Sequence, residues 1–139
     1  MDLDRVMDDL AGKLRTLEGL GGRVFEYPPG QVTATPAGIV TYPDKIDFDQ
    51  TYGRGMDILR GVEVLVIVGE PTKKSTRDQI AGYVAGDGPR SVKAALESKP
   101  RHAFDDLQVI DVDFDVVKIA GVDYLAAIFR MDIAGRGSI

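Results

Sequence analysis

The sequence predicts a single α+β domain, residues 1–139, in which a mainly antiparallel sheet carries an N-terminal helix and two central helices on one face. Three observations predict this fold. Apolar residues at helical spacing run through residues 2–18, two helix starts joined by glycines lie within residues 72–98, and the other apolar segments alternate as strands do. Helices and strands in separate runs are typical of α+β domains, and short helices need a sheet to cover their apolar stripes.

Three helices are expected, at residues 2–18, 76–85 and 89–98. The first has the longest apolar stripe, and a cluster of glycines ends it. Ser75 and Asp78 resemble a capping box at the start of the second helix, since their side chains can bond to amides of its first turn. Gly86 can end that helix, and Pro89 can begin the third.

Six strands are expected, at residues 23–27, 37–40, 45–49, 57–68, 107–117 and 122–133. The fourth is predicted to be central, because apolar side chains fall on both of its faces in its second half. Residues 118–121 resemble the turn of a tight hairpin that joins the last two strands. The glycine-containing tail, residues 134–139, is predicted to be flexible or to become ordered only on a partner.

The strand at 107–117 alternates strictly, which predicts one face packed on the core and a second face that meets water or a partner. The apolar positions are Ile110, Val112, Phe114 and Val116, and the acidic positions are Asp111, Asp113 and Asp115. A calcium loop with this start needs glycine sixth and glutamate twelfth, where this chain has Val116 and Val122. Carboxylates on one strand face also lie about 6 to 7 Å apart, too far for one ion. A structural or interfacial role is therefore expected, without a metal.

The composition excludes several kinds of chemistry. The chain has no cysteine, so disulfides, thiolate metal sites and cysteine nucleophiles are excluded. Its formal net charge of −5 opposes binding to phosphate backbones. No apolar run is long enough for a membrane span, and the acidic N-terminus does not resemble a signal peptide. The protein is expected to be made and used in a cytoplasm.

No constellation of catalytic residues is visible, and no cofactor is expected. His102 is the only histidine and lies in a polar connector without a carboxylate cluster. Residues 86–91 lead into a helix, whose amino end attracts phosphates, but they lack the lysine and spacing of a P-loop, so a plain connector is favoured. Arg54, between two glycines, fits either an anion-binding fork or a solvated turn residue, and both interpretations stay open.

Several short motifs resemble those of a known family. The motifs are Tyr27-Pro28-Pro29, Phe48-Asp49-Gln50-Thr51-Tyr52-Gly53-Arg54-Gly55, Gly88-Pro89-Arg90-Ser91-Val92-Lys93-Ala94-Ala95-Leu96 and Gly121-Val122-Asp123-Tyr124-Leu125. With the order of the elements, they resemble the tail terminator proteins of long-tailed, siphovirus-type bacteriophages, especially those of actinobacterial hosts. The resemblance spans the chain from the first helix to the last strand, apart from residues 99–106 and the C-terminal tail.

The resemblance implies a structural virion protein rather than an enzyme. Tail terminators form a ring, commonly a hexamer, that caps the tail tube, stops its polymerisation and joins it to the head connector. The implied partners are further copies of this chain, the major tail tube protein and the head-connector or stopper protein, with no membrane. DNA would pass through the channel without specific binding. The implied location is the tail-neck region of the virion, after synthesis in the host cytoplasm.

Two sets of residues receive roles from this resemblance. Asp111, Asp113 and Asp115 are expected to face the channel or a neighbouring subunit, since acidic groups repel the phosphates of DNA. The loop at residues 48–55 is expected to contact another ring or the tail tube. The loop residues concerned are Phe48, Asp49, Tyr52 and Arg54.

Two alternatives stay open. Another connector-ring subunit, a stopper or head-completion protein, is also small, although a stopper would lean toward a small barrel. The other alternative is a small domain that binds a phosphate ligand at the helix start of residues 86–91. Arg90 and Ser91 are the candidate contacts there.

Overall fold

Within the residues that the structure describes, a six-stranded and mostly antiparallel sheet forms the centre of the protein. The computed structural model describes residues 2–27, 29–32, 34–48, 55–98 and 103–136. The strands are β1 (Val24–Phe25), β2 (Ala37–Val40), β3 (Lys45–Asp47), β4 (Met56–Gly69), β5 (Asp106–Ile119) and β6 (Val122–Arg136). The helices are α1 (Leu3–Arg15), α2 (Lys74–Val84) and α3 (Val92–Glu97). The predicted α+β class is confirmed.

The order of the strands in the sheet is β1-β2-β4-β6-β5. β3 also pairs with β4, and because β6 occupies the other side of β4, β3 lies on the same side as β2. Backbone hydrogen bonds from Thr41 N to Glu63 O (2.9 Å) and from Asp44 N to Arg60 O (2.8 Å) continue this pairing between β2 and β3. Of the pairings between described strands, only that of β1 with β2 is parallel. The sheet therefore has β5 at one edge and β1 with β3 at the opposite edge.

The main core lies between the helices and one face of the sheet. Side chains from all three helices share a buried cluster with alternate residues of β4 and β6. The members of this cluster include Leu10, Tyr83 and Leu96 from the helices and Val62, Val64, Val66, Phe129 and Met131 from the strands. β4 is central, as predicted, because Val66 and Ile67 are both fully buried although adjacent strand residues point to opposite faces.

The first two helices begin and end at different residues from those predicted. α1 ends at Arg15 rather than at residue 18. α2 begins at Lys74, so Ser75 lies inside the helix and the predicted capping box is wrong. The N-cap of α2 is Lys73, which makes no side-chain capping bond. No helix in the described parts of the chain is long and apolar enough to cross a membrane.

The third helix is shorter than predicted because a serine caps it late. The hydroxyl of Ser91 accepts a hydrogen bond from Ala94 N at 3.1 Å, so α3 begins at Val92 rather than at residue 89. This is the usual way in which a side-chain oxygen satisfies an unpaired amide of the first turn.

The last strand is longer than predicted. Residues 134–136 belong to β6 and pair with residues 56–58 of β4, so the prediction of a flexible tail is wrong for these three residues. The physical reason is that β4 begins at Met56 and gives their backbone groups a partner. The rest of the predicted tail, residues 137–139, lies outside the described residues.

Candidate functional site: the acidic hairpin and the opposite edge

The most distinctive feature of the molecule is the long hairpin of β5 and β6. Its strands are joined at Ala120 and Gly121, whose φ angles are 53° and 80°. Two-residue hairpin turns with positive φ at both positions match the right-handed twist of the strands, and glycine favours that conformation. The predicted hairpin turn is therefore confirmed.

A bulge divides the hairpin into two parts. Val109 pairs with Met131 and Asp111 with Arg130, so Ile110 is the extra residue. We call residues 110–125, beyond the bulge and including the turn, the arm. Because the bulge adds one residue, the side chains that face the helices have odd numbers before it (Leu107, Val109) and even numbers after it (Val112, Phe114).

Among the described strands, β5 pairs with β6 alone, so its other edge is open. Two hydrogen bonds show which amides turn away from β6. Val109 N donates to Glu97 Oε2 at 3.1 Å, and Val116 N donates to Oδ1 of its neighbour Asp115 at 2.8 Å. Because amides alternate in direction along an antiparallel strand, those of residues 112 and 114 also turn outward. These two amides have no backbone partner within the described part of the chain.

One face of the arm is acidic. Asp111, Asp113 and Asp115 are all exposed, on one face as the alternation predicts. The guanidinium of Arg130 lies 3.3 Å from Glu63 Oε2 and 3.6 Å from Asp111 Oδ1, and it also bonds to Asp113. That bond to Asp113 is the main reason why the pKa of Arg130 is raised above its ordinary value. Three carboxylates around one guanidinium, with Asp115 beside them, leave this face negative.

The other face of the arm is apolar and exposed, which corrects the prediction that it packs on the core. Phe114 is 55% exposed and Val116 is 48% exposed, while Val112 is half-buried. Ile110, at the bulge, is 55% exposed. α3 lies against the beginning of β5, where its residue Glu97 bonds to Val109, and the arm extends beyond it.

The opposite edge of the sheet also exposes large apolar side chains. Tyr27 follows β1 and is 66% exposed, while Tyr42 and Phe48, on either side of β3, are 60% and 63% exposed. The rings of Phe25 and Tyr27 meet edge to face at 6.4 Å. The hydroxyl of Tyr42 donates to Asp4 Oδ1 at 3.2 Å, and this bond raises the pKa of the tyrosine. We call Tyr27, Tyr42 and Phe48 the aromatic edge.

The predicted contact loop is described only at its beginning. Phe48 lies directly after β3 and is exposed, as stated above. The other predicted members of the loop, Asp49, Tyr52 and Arg54, lie outside the described residues. The proposed role of this loop therefore stays a prediction.

The predicted helix-start contact uses its polar groups within the chain. Ser91 is fully buried, and its hydroxyl donates to Ala85 O at 2.6 Å while it accepts from Ala94 N. Arg90 Nη2 lies 3.1 Å from Glu18 Oε1. These bonds fix the connection between α2 and α3, and the contact with Glu18 ties it to the segment that follows α1.

Sequence reasoning missed an apolar groove on the acidic side of the sheet. It has a volume of about 370 Å³ and lies between the end of the hairpin and the neighbouring strands. The apolar side chains that line it include Ile39, Leu65, Ile67, Val117 and Ile119. A signal was present, because the positions that carry aspartate at 111, 113 and 115 carry valine and isoleucine at 117 and 119.

Two further ionic clusters lie away from the arm. Arg60 Nε lies 2.9 Å from Asp47 Oδ2 and Arg60 Nη1 lies 3.0 Å from Asp132 Oδ2, which links β3, β4 and β6. The carboxyls of Glu26 and Asp8 share a hydrogen bond, which is the main cause of the raised pKa of Glu26.

No group of three or more histidine or acidic side chains in the described ranges is arranged to hold a metal ion.

Neither a protein-family model nor a curated protein sequence matches this chain. By its fold the chain is an α+β domain whose sheet has an acidic hairpin at one edge and exposed aromatic side chains at the other.

Proposed function

We propose that the protein is a structural subunit of a ring that caps the tail tube of a long-tailed bacteriophage, ends its polymerisation and joins it to the head connector. The motifs that resemble tail terminators support this proposal. The observation that carries it is the position of the large exposed apolar side chains. Among the residues that the structure describes, six of the seven such side chains lie at the two opposite edges of one sheet, and the seventh, Val122, lies at the hairpin turn.

Two different surfaces on opposite sides of a subunit are what a ring requires. A contact between unlike surfaces repeats from copy to copy, and it closes into a ring when the rotation between copies is suitable. Apolar side chains that remain exposed in one copy gain stability when a second copy covers them, by about 25 cal/mol for each Å² removed from water. The arm and the aromatic edge fit these two roles.

The acidic face of the arm fits a channel through which DNA passes. Basic grooves bind DNA by neutralising phosphates, and an acidic wall has the opposite effect. Asp111, Asp113 and Asp115 are exposed, and within the described ranges Arg130 is the one arginine that bonds to them, so this face would repel the phosphates. A lumen that repels DNA lets the genome move without sticking. In this proposal the protein belongs to the tail-neck region of the virion.

Tube polymerisation in the presence of this protein tests the proposal. Purified tail tube subunits are allowed to polymerise with increasing amounts of the protein, and tube lengths are measured by electron microscopy. We expect shorter tubes, each with a ring at one end, and a mass in solution that is a multiple of the 15.1 kDa chain. Unchanged tube lengths together with a single-chain mass at all concentrations would contradict the proposal. Rings that bind the head connector but leave tube lengths unchanged would indicate a stopper instead.

A thermal-shift screen separates this function from the binding of a small phosphate compound. A ligand that binds the folded state alone raises its stability by about 2.7 kcal/mol at one hundred times its Kd. The use of the Ser91 hydroxyl within the chain argues against such a site, so we expect no shift with nucleotides or sugar phosphates.

A further inference from the structure

The outer edge of β5 is occupied at two points and open between them. The outward amides of residues 109 and 116 donate to side-chain carboxylates. Those of residues 112 and 114 have no backbone partner within the described part of the chain. Exposed strand edges readily pair with another strand, and proteins usually block them. The stretch around residues 112 and 114 is therefore a place where one short strand can add to the sheet.

An added strand there would meet two unlike rows of side chains. Residues directly opposite each other on neighbouring strands lie on the same face and interact. On one face the new side chains would lie beside the exposed Asp113 and Asp115, where cations are favourable. On the other face they would lie beside Phe114 and Val116, which are 55% and 48% exposed, where apolar side chains are favourable. The matching strand therefore alternates lysine or arginine with apolar residues.

The acidic face has enough excess charge to select such a strand. Arg130 contacts Glu63, Asp111 and Asp113. Asp115 adds a fourth carboxylate, so one guanidinium leaves three negative charges on this face. Opposite charges on directly opposite residues stabilise a pair of strands and like charges destabilise it. A basic strand is therefore favoured and an acidic strand is rejected.

A second copy of the same edge is a poor match. If two copies of β5 paired antiparallel around Phe114, Asp113 of each copy would lie directly opposite Asp115 of the other. Like charges in these positions are destabilising. The acidic row therefore favours a strand other than a second β5.

The sequence offers no second strand of the matching pattern. Two cations lie two residues apart at Lys13 and Arg15 and at Lys99 and Arg101. The first pair belongs to the helix α1. Pro100, within the second pair, lacks the amide that an added strand donates at the position between its cations. The matching strand is therefore expected from a different protein.

We propose that the open edge of β5 on a free subunit accepts one strand from a partner protein, an extended segment in which lysine or arginine alternates with apolar residues. Backbone hydrogen bonds to residues 112 and 114 supply affinity, and the two rows of side chains supply specificity. The inference goes beyond the proposed function and does not depend on it. Where a neighbouring copy covers the arm in a ring, the partner strand has to bind before the ring closes.

A synthetic peptide of about nine residues, in which lysine alternates with valine, tests the inference. One control peptide has glutamate in place of lysine, and the other has the same composition with all lysines in one block. Binding to wild-type protein below ring-forming concentration is measured by fluorescence anisotropy, and hydrogen exchange reports on residues 112 and 114. We expect the alternating peptide at saturation to slow exchange of these two amides at least about tenfold. Both control peptides are expected to bind at least about tenfold more weakly.

Two substitutions of one residue separate the edge from the side chain. Phe114→Pro and Phe114→Thr both remove the ring, but only proline removes the outward amide, and proline is tolerated on edge strands where the amide faces solvent. The alternating peptide is expected to bind Phe114→Pro at least about tenfold more weakly than Phe114→Thr. Asp113→Asn combined with Asp115→Asn is expected to weaken its binding about fivefold relative to the wild type. If Phe114→Pro fails to fold, exchange of the wild-type amides decides the question without it.

Several results would overturn the inference. Amides 112 and 114 that stay unprotected at saturating peptide would show that no strand is added. Equal binding of the alternating and blocked peptides would reduce the interaction to unspecific charge attraction, and equal binding by Phe114→Pro and Phe114→Thr would exclude the edge. Protection that depends on protein concentration and persists unchanged in excess peptide would assign the edge to a second copy. None of these results affects the proposed function, which the tube-length measurement tests separately.

Discussion

Phe129 and Phe114 lie on the same face of the same hairpin, yet their surroundings differ completely. Phe129 is opposite Val112 and is 2% exposed, whereas Phe114 is the next position along that face of the partner strand and is 55% exposed. The helices cover the first ring and leave the second bare. The difference teaches that alternation specifies a strand, while the reach of the helices decides which apolar side chains enter the core. The arm therefore contributes little to folding and is available for association.

The largest difference is expected when each of these two phenylalanines is replaced by alanine and the free energy of unfolding is measured. We expect Phe129→Ala to lower the free energy of unfolding by about 3 to 5 kcal/mol, because it leaves a cavity in the core. Phe114→Ala is expected to lower it by less than about 1 kcal/mol, because its ring already contacts water. Urea unfolding of dilute, monomeric samples measures both. Equal losses would show that the arm is part of the folding core.

Two glycines with positive φ give a smaller contrast of the same kind. Gly61 has φ +71° at the irregular pairing of β4 with β6, and a methyl group there would overlap the carboxylate of Asp44. Gly121 has φ +80° in the hairpin turn, with open space around it. We expect Gly61→Ala to cost about 2 kcal/mol and Gly121→Ala about 1 kcal/mol, measured by urea unfolding. A larger loss of unfolding free energy for Gly121→Ala than for Gly61→Ala would show that the arm contributes more to stability than we infer.

The ion cluster of Arg60 with Asp47 and Asp132 makes the stability of the protein depend on pH. The hydrogen bond from Arg60 is the main cause that holds the pKa of Asp47 below its ordinary value of 3.8. A lowered carboxyl pKa means stability that is present above the unfolded pKa and is lost as the pH falls through the folded pKa. Asp47→Asn is therefore expected to lower the Tm at pH 7 and to reduce the fall in Tm between pH 5 and pH 2. The exposed Asp115→Asn is the control, and an equal effect of both on the Tm at pH 7 would contradict this assignment.

The smallest effect is expected at the carboxyl pair of Glu26 and Asp8. The pKa of Glu26 is raised mainly by its hydrogen bond to Asp8, so the folded protein holds this proton more tightly than the unfolded chain. Stability then increases as the pH falls through the raised pKa toward the ordinary value of 4.5. Glu26→Gln should raise the Tm slightly at pH 7, by an amount equivalent to less than about 0.5 kcal/mol, and should remove this increase. A lower Tm at pH 7 would contradict the sign.

The fold was predictable because its strongest signals are local. The apolar stripe of α1 and the double-sided burial of β4 both followed from side-chain spacing, and β2 has the predicted bounds. The errors arose where contacts between residues distant in sequence determine the bounds of an element. Ser75 could not reveal that α2 begins before it, and residues 134–136 became a strand because β4 offered a partner.

The candidate site was predictable in part. The exposed aspartates at 111, 113 and 115 followed from alternation, because side chains of a strand point alternately to its two faces. The exposure of Phe114 and Val116 did not, since it depends on a bulge at Ile110 and on how far α3 extends. The aromatic edge brings together residues on both sides of β3 with one that follows β1, and only the topology of the sheet shows that they share an edge.

Hydrogen exchange of the arm amides tests most directly whether this hairpin is reserved for association. The wild-type protein at ring-forming concentration is compared with the arm variant, Phe114→Thr with Val116→Thr, which serves as the monomeric reference. We predict that the outward amides of residues 112 and 114 exchange rapidly in the monomer and at least about tenfold more slowly in the assembled protein, while the core amides of β4 are protected equally in both. Rapid exchange of residues 112 and 114 in assembled wild-type protein would contradict the account.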